Sequence, residues 1–135
     1  MLSTEKFVSL LTKKNINFYC GVPDSCLKNF TNLITSNKKK NIIAANEGSA
    51  ITTGIGYYLK TKKIPLIYMQ NSGIGNAMDP LTSLTPKESY SIPMLLLIGW
   101  RGSPNLKKDE PQHTVMGRIT LKILKLMDIK TIVIK

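Results

Sequence analysis

The apolar positions of the chain change period several times. Residues 4 to 14 carry Phe7, Leu10 and Leu11 on one helical face. Ile16 to Cys20 reads as a short strand closed by the turn signal Gly21-Val22-Pro23. Asp24 or Ser25 then offers an N-cap for a helix with Leu27, Phe30, Leu33 and Ile34 at helical spacing. A second strand is predicted at Ile42 to Ala45. A helix follows from about Glu47 to Lys60, with Ala50, Ile51, Gly54 and Tyr58 along one stripe. Ile64 to Gln70 is a third strand, and Asn71 to Asn76 a turn leading into a helix of modest length. Ile92 to Trp100, the longest apolar run, is a fourth strand. Residues 101 to 114 lack periodicity and read as a long loop. Ile119, Ile123 and Leu126 mark a last helix, and Thr131 to Ile134 a fifth strand.

Strand and helix thus alternate throughout. The strands are apolar runs without polar alternation, as expected when both faces are covered. The expected architecture is α/β: one domain over residues 1 to 135, a three-layer, doubly wound, mostly parallel sheet with helices on both faces. The chain closes on a predicted strand, which reads as a fragment or as a subunit completed by another chain.

Composition adds limits. The 135 residues suit one domain. No run approaches the roughly 20 apolar residues needed to span a bilayer, and the first residues do not resemble a secretory signal. A cytoplasmic location without membrane contact is therefore expected. Cys20 and Cys26 are the only cysteines, outside CxxC spacing, and read as two idle thiols rather than a metal or redox site. The net charge of +11 comes mostly from scattered lysines, with one triplet at Lys38-Lys39-Lys40. Without aromatic interleaving or a recognised motif, this reads as a solvated surface rather than a nucleic-acid face. A basic face that attracts anionic ligands or an acidic partner is the other account.

In open parallel sheets, sites form beyond the carboxyl ends of the strands. Those ends carry Asp24-Ser25, Asn46-Glu47-Gly48-Ser49, Asn71-Ser72-Gly73, Arg101-Gly102 and a loop with Asp109, Glu110 and His113. Glu47 is the only charged residue between Ile42 and Leu59. A carboxyl among Ala, Gly and Ile holds a proton more readily than one in water. The plainer account is a first-turn acid that favours the helix dipole. His113, the only histidine, is either a solvated loop residue or a proton carrier. Asp24 has a structural account as an N-cap. Arg101 and Arg118 can clamp an anionic group through forked hydrogen bonds or simply face solvent. Gly73-Ile74-Gly75 matches neither nucleotide-phosphate signature.

Taken together, several segments resemble phosphonopyruvate decarboxylases of the thiamine-diphosphate enzyme family. They are Gly21-Val22-Pro23-Asp24-Ser25, Ala45-Asn46-Glu47-Gly48-Ser49-Ala50, Tyr68 to Asn76, Pro80 to Leu84, Leu97-Ile98-Gly99-Trp100-Arg101-Gly102 and Asp109-Glu110-Pro111-Gln112-His113. Sulfopyruvate decarboxylase alpha subunits are similar in the Asn-Ser-Gly region. The resemblance implies a pyrimidine-binding domain. Glu47 would hydrogen-bond the aminopyrimidine of thiamine diphosphate, favouring the imino form that takes the thiazolium C2 proton. Asn71, Ser72 and Gly73 would line the pyrimidine pocket. Asp24 and His113 would handle protons on the intermediates, and Arg101 or Arg118 would meet the substrate anion.

The family also uses a Gly-Asp-Gly segment and a downstream Asn to hold Mg²⁺ and the diphosphate. No Gly-Asp-Gly occurs in this sequence. The resemblance therefore implies a diphosphate-binding domain or beta subunit as partner, which would hold the Mg²⁺, with the site at an oligomer interface. The isolated chain is expected to be inactive. Asp79 stands where a neutral Asn is expected. The competing functions are a non-catalytic, partner-binding remnant and, with little support, a basic nucleic-acid-binding domain.

Overall fold

A computed structural model describes residues 3–36, 40–104 and 109–134. Helix α1 (Thr4–Lys13) begins where the Ser3 side chain accepts a hydrogen bond from the Lys6 N–H. Strand β1 (Phe18–Gly21) is wholly buried. Asp24 caps a single 3₁₀ turn (Ser25–Leu27) by accepting from the Cys26 N–H, and the turn runs into α2 (Lys28–Ser36). Strand β2 (Lys40–Ile43) leads to α3 (Glu47–Thr61), capped by Asn46 Oδ1 accepting from the Ser49 N–H at 2.8 Å. Lys62 ends that helix in the left-handed region at φ 57°.

Strand β3 (Leu66–Gln70) is followed by a 3₁₀ turn (Asn71–Gly73) that continues into α4 (Ile74–Ser83). The predicted turn at residues 71 to 76 is therefore shorter than expected, because Ile74 already faces the core as the first residue of a helix. Strand β4 (Leu95–Gly99) and a last 3₁₀ turn (Pro111–His113) precede α5 (Thr114–Leu126).

All strand pairs are parallel, in the order β2-β1-β3-β4. The expected parallel α/β sheet with helices on both faces is thus present. The chain moves outward from β1 to β2 and then crosses back to β3. Right-handed crossovers in opposite directions must put their helices on opposite faces, and they do. One face packs Tyr19, Leu66 and Tyr68 under Val8 and Leu11 of α1 and Phe30 and Ile34 of α2. The other packs Cys20, Ile67 and Met69 under Ala50, Ile51 and Ile55 of α3, Ile74, Ala77 and Leu81 of α4 and Leu124 of α5. The chain reverses direction across the sheet between β1 and β3, and the carboxyl ends of such neighbours are the usual place for a ligand in sheets of this kind.

Two expectations are corrected. Residues Thr131 to Ile134 form no strand: Ile132 is 81% exposed and Ile134 is 64% exposed, and neither pairs with β4. A run of β-branched residues expresses propensity, but a strand also needs a ladder and a face to pack on. Here the segment borders a groove of about 820 Å³ along β4 instead of closing it. The second strand lies two residues earlier than its apolar run suggested, and it is not covered on both faces, since Ile43 is 65% exposed. As the sheet edge it has one neighbour only. Lys40 opens this strand, while Lys38 and Lys39 lie outside the described residues. Both thiols are free. Cys20 is buried, which pushes its thiol above the ordinary value; Cys26 is exposed, and partial desolvation together with the Asp24 charge pushes it up as well. Among the described residues, no helix is long and apolar enough to cross a membrane.

Asn71 fastens the carboxyl ends of β3 and β4 to α5. Its side chain is fully buried. Nδ2 donates to the Arg101 carbonyl at 3.0 Å and to Thr120 Oγ1 at 2.9 Å, and Oδ1 accepts from the Arg101 N–H at 3.1 Å. Replacing Asn71 with Ala strips partners from several enclosed groups at once. It should cost about 3 kcal/mol in urea denaturation. A loss below about 1 kcal/mol would contradict this role.

Candidate active site

The carboxyl edge of the sheet gathers the loops named by the sequence. Glu47 opens α3 and is only 9% exposed. Two glycines make that burial possible. A Cβ on Gly73 would collide with the Glu47 side chain at Cγ, Cδ and Oε1, so the carboxyl lies where a side chain at 73 would be. A Cβ on Gly48 would sit 2.8 Å from the Asn76 carbonyl, so this glycine lets the first turns of α3 and α4 meet. Across that junction Asn76 Nδ2 donates to Glu47 Oε2 at 2.8 Å. Among the described residues no hydrogen bond reaches Oε1. The surroundings of Glu47 are thus polar on one oxygen, not the purely apolar pocket that composition suggested.

Asp24 is the second buried acid, at 8% exposure. Oδ2 accepts from the Cys26 N–H at 3.1 Å and lies against Gly99, where any Cβ would strike it. Oδ1 is enclosed and accepts no hydrogen bond, alone in this among the described side chains. A buried acceptor left unpaired is costly, and such groups cluster where function demands them.

Arg101 and Asp109 form a bidentate ion pair: Nε donates to Oδ2 at 2.7 Å and Nη2 to Oδ1 at 2.6 Å. Asp109 also accepts from the Gly102 and Glu110 N–H groups. The Arg101 hydrogen bonds, helped by the Glu110 N–H, hold the Asp109 carboxyl well below the usual carboxylate range. The same contact raises Arg101 above its ordinary value. The pair therefore stays ionised through the range in which ordinary carboxylates protonate. Arg101 Nη1 donates to Ser25 Oγ at 2.9 Å, tying this loop to the one that carries Asp24. Three of the five guanidinium N–H groups are engaged in this way.

His113 ends the 3₁₀ turn before α5 and is half-buried. Its backbone presses on Gly102, which adopts φ +67°. No hydrogen bond joins its ring to Asp109 or Glu110 among the described residues. Ser72 is exposed and accepts from Gln70 Nε2 at 2.6 Å. The Asn71 side chain is sealed into the fold by Arg101 and Thr120 and is not open to a ligand. Arg118 is exposed on α5 and has no ion pair among the described residues. Asp79 is exposed and accepts from Ser83 Oγ at 2.8 Å, away from the core.

Two residues matter here that the sequence pattern does not single out. Asn76 reads as an ordinary first-turn Asn, and its reach to Glu47 depends on a helix junction 29 positions apart. Asp109 was visible only as a polar loop residue, although it organises the loop.

The geometry has relatives. The family "Thiamine pyrophosphate enzyme, N-terminal TPP binding domain" matches residues 1–122. Sulfopyruvate decarboxylase subunit alpha of Methanocaldococcus jannaschii is 41% identical over 122 residues, covering 90% of this chain and 69% of that protein. Phosphonopyruvate decarboxylase of Streptomyces viridochromogenes is 36% identical over 131 residues. That match covers 96% of this chain, which spans only 32% of the relative's length. Benzoylformate decarboxylase from Polynucleobacter necessarius shares the fold at a TM-score of 0.62 and 22% identity, over 75% of this chain and 19% of its own. A thiamine diphosphate-dependent 4-hydroxybenzoylformate decarboxylase of Rhodococcus jostii does so at the same TM-score and identity, over 84% and 22%. The chain belongs to the thiamine pyrophosphate enzymes, as their N-terminal, cofactor-binding domain.

Proposed function

We propose that this chain is the pyrimidine-binding half of a decarboxylase acting on a small 2-oxo acid with a second, strongly acidic group. The observation that carries the reading is Glu47: a buried carboxyl with one oxygen fixed and the other open, cradled by Gly73 at the sheet's carboxyl edge. That donor set fits an aminopyrimidine, whose ring nitrogen can share a proton with a carboxyl. Asp24, with its unpaired Oδ1, fits a second proton-handling role at the same carboxyl edge of the sheet. When bound, thiamine diphosphate supplies the electron sink that a departing carboxylate requires. Glu47 Oε1 would hold or share the ring proton, Gly73 and Ser72 would line the ring, and Asp24 and His113 would be the groups to move protons nearer the substrate.

The diphosphate and its Mg²⁺ need a partner domain or subunit, because this sequence lacks the Gly-Asp-Gly segment. Phosphonopyruvate, giving phosphonoacetaldehyde and CO₂, is one substrate. The 41% identity to a sulfopyruvate decarboxylase alpha subunit, against 36% to a phosphonopyruvate decarboxylase, gives sulfopyruvate at least equal weight. Both substrates carry an anion for which Arg101 has unengaged N–H groups and Arg118 a guanidinium without an ion pair among the described residues.

Three outcomes follow in the complex reconstituted with a diphosphate-binding partner. Glu47→Gln should lower kcat by about 10²- to 10⁴-fold, the range for removal of a proton-transfer group. A variant within about threefold of wild type would refute the proposal. Gly73→Ala should keep the fold, because the Glu47 side chain can swing aside, yet lose at least about tenfold in kcat. A normal kcat in a correctly folded Gly73→Ala protein would show that the cradle is irrelevant. Arg101→Ala should raise KM about tenfold or more for sulfopyruvate or phosphonopyruvate and far less for pyruvate. Equal changes on both kinds of substrate would remove Arg101 from anion recognition and leave it as a loop clamp.

A further inference from the structure

We infer that Asn76 is a positioning residue that selects which oxygen of Glu47 exchanges the proton; the inference rests on the role of Glu47 proposed above. A side-chain amide NH₂ donates and cannot accept. Asn76 Nδ2 lies 2.8 Å from Glu47 Oε2, so a proton placed on Oε2 would face another N–H. Proton exchange at Glu47 is thereby directed to Oε1, the oxygen that lies against Gly73 and receives no hydrogen bond among the described residues.

The position of Asn76 is itself imposed. It is the third residue of α4, and its carbonyl abuts the side-chain-free face of Gly48 at the start of α3. Ile74 and Ala77, on either side, are buried in the core and fix the rotation of that first turn. Without the amide, the two carboxyl oxygens of Glu47 become interchangeable by rotation about the terminal side-chain bond. The plane of the carboxyl would then no longer be fixed against Gly73, and the hydrogen bond that keeps Oε2 occupied would be lost.

The test has two arms. In the first, the ¹⁵N-labelled chain is titrated without cofactor. The Asn76 side-chain NH₂ resonances should move as Glu47 changes charge, and should stop moving in Glu47→Gln. Resonances that ignore pH in the wild type would overturn the hydrogen bond. In the second, kinetics are measured in the reconstituted complex. Asn76→Ala should lower kcat about 10- to 100-fold, the range for losing a hydrogen bond to a charged group. KM for the 2-oxo acid should change by less than about threefold, since Asn76 touches Glu47 and not the substrate. Circular dichroism checks that the variant is folded. If Asn76→Ala does not fold, the near-isosteric and uncharged Asn76→Leu, which cannot donate, replaces it and should show the same split. Glu47→Gln at full activity defeats the reading of Glu47 itself. An inactive Glu47→Gln beside a folded, fully active Asn76 variant defeats only the positioning role.

Discussion

A carboxyl group enclosed at the first turn of a helix needs space and a partner, and the edge of this sheet is built to give Glu47 both. Space comes from Gly73 and Gly48, where any side chain would meet the Glu47 carboxyl or the Asn76 backbone. The partner is Asn76, reaching from α4 to Oε2. Both depend on α3 and α4 starting side by side, and that depends on β1 and β3 being neighbours in a parallel sheet. Remove any one of these constraints and the carboxyl either turns to solvent or is left buried without a hydrogen bond, at a cost of several kcal/mol.

The opposite end of the same edge is organised by charge. Asp109 gathers two guanidinium N–H groups and two backbone N–H groups, which shapes the loop after β4 and holds it to Ser25. Asn71 anchors the ground between the two ends, fixing β3 and β4 against α5. Glu47 and Asp24, the two nearly enclosed carboxyl groups among the described residues, each have one oxygen held by a hydrogen bond from a fixed donor.

Much of this was legible in the sequence, for identifiable reasons. Alternating helical and strand periods in segments such as Phe18–Gly21 and Glu47–Thr61 are consequences of burial, which leaves its mark on each residue type. The loops at the sheet's carboxyl edge followed from topology alone. Other features were hidden because they are properties of pairs. Nothing in Asn71 or Asn76 announces that one is sealed in the fold and the other grips a carboxylate 29 residues away. Thr131 to Ile134 carried the propensity of a strand but lacks the ladder that would make it one. Arg101 read as a free cation because its Asp109 partner sits across an aperiodic loop.

The central claim is that Glu47 exchanges a proton with the pyrimidine of bound thiamine diphosphate. Deuterium exchange at the thiazolium C2 position, followed by NMR in the reconstituted complex without substrate, reads that event directly. The account predicts fast exchange with the wild-type chain and exchange near the free-cofactor rate with Glu47→Gln. Equal, rapid exchange with both chains would contradict it.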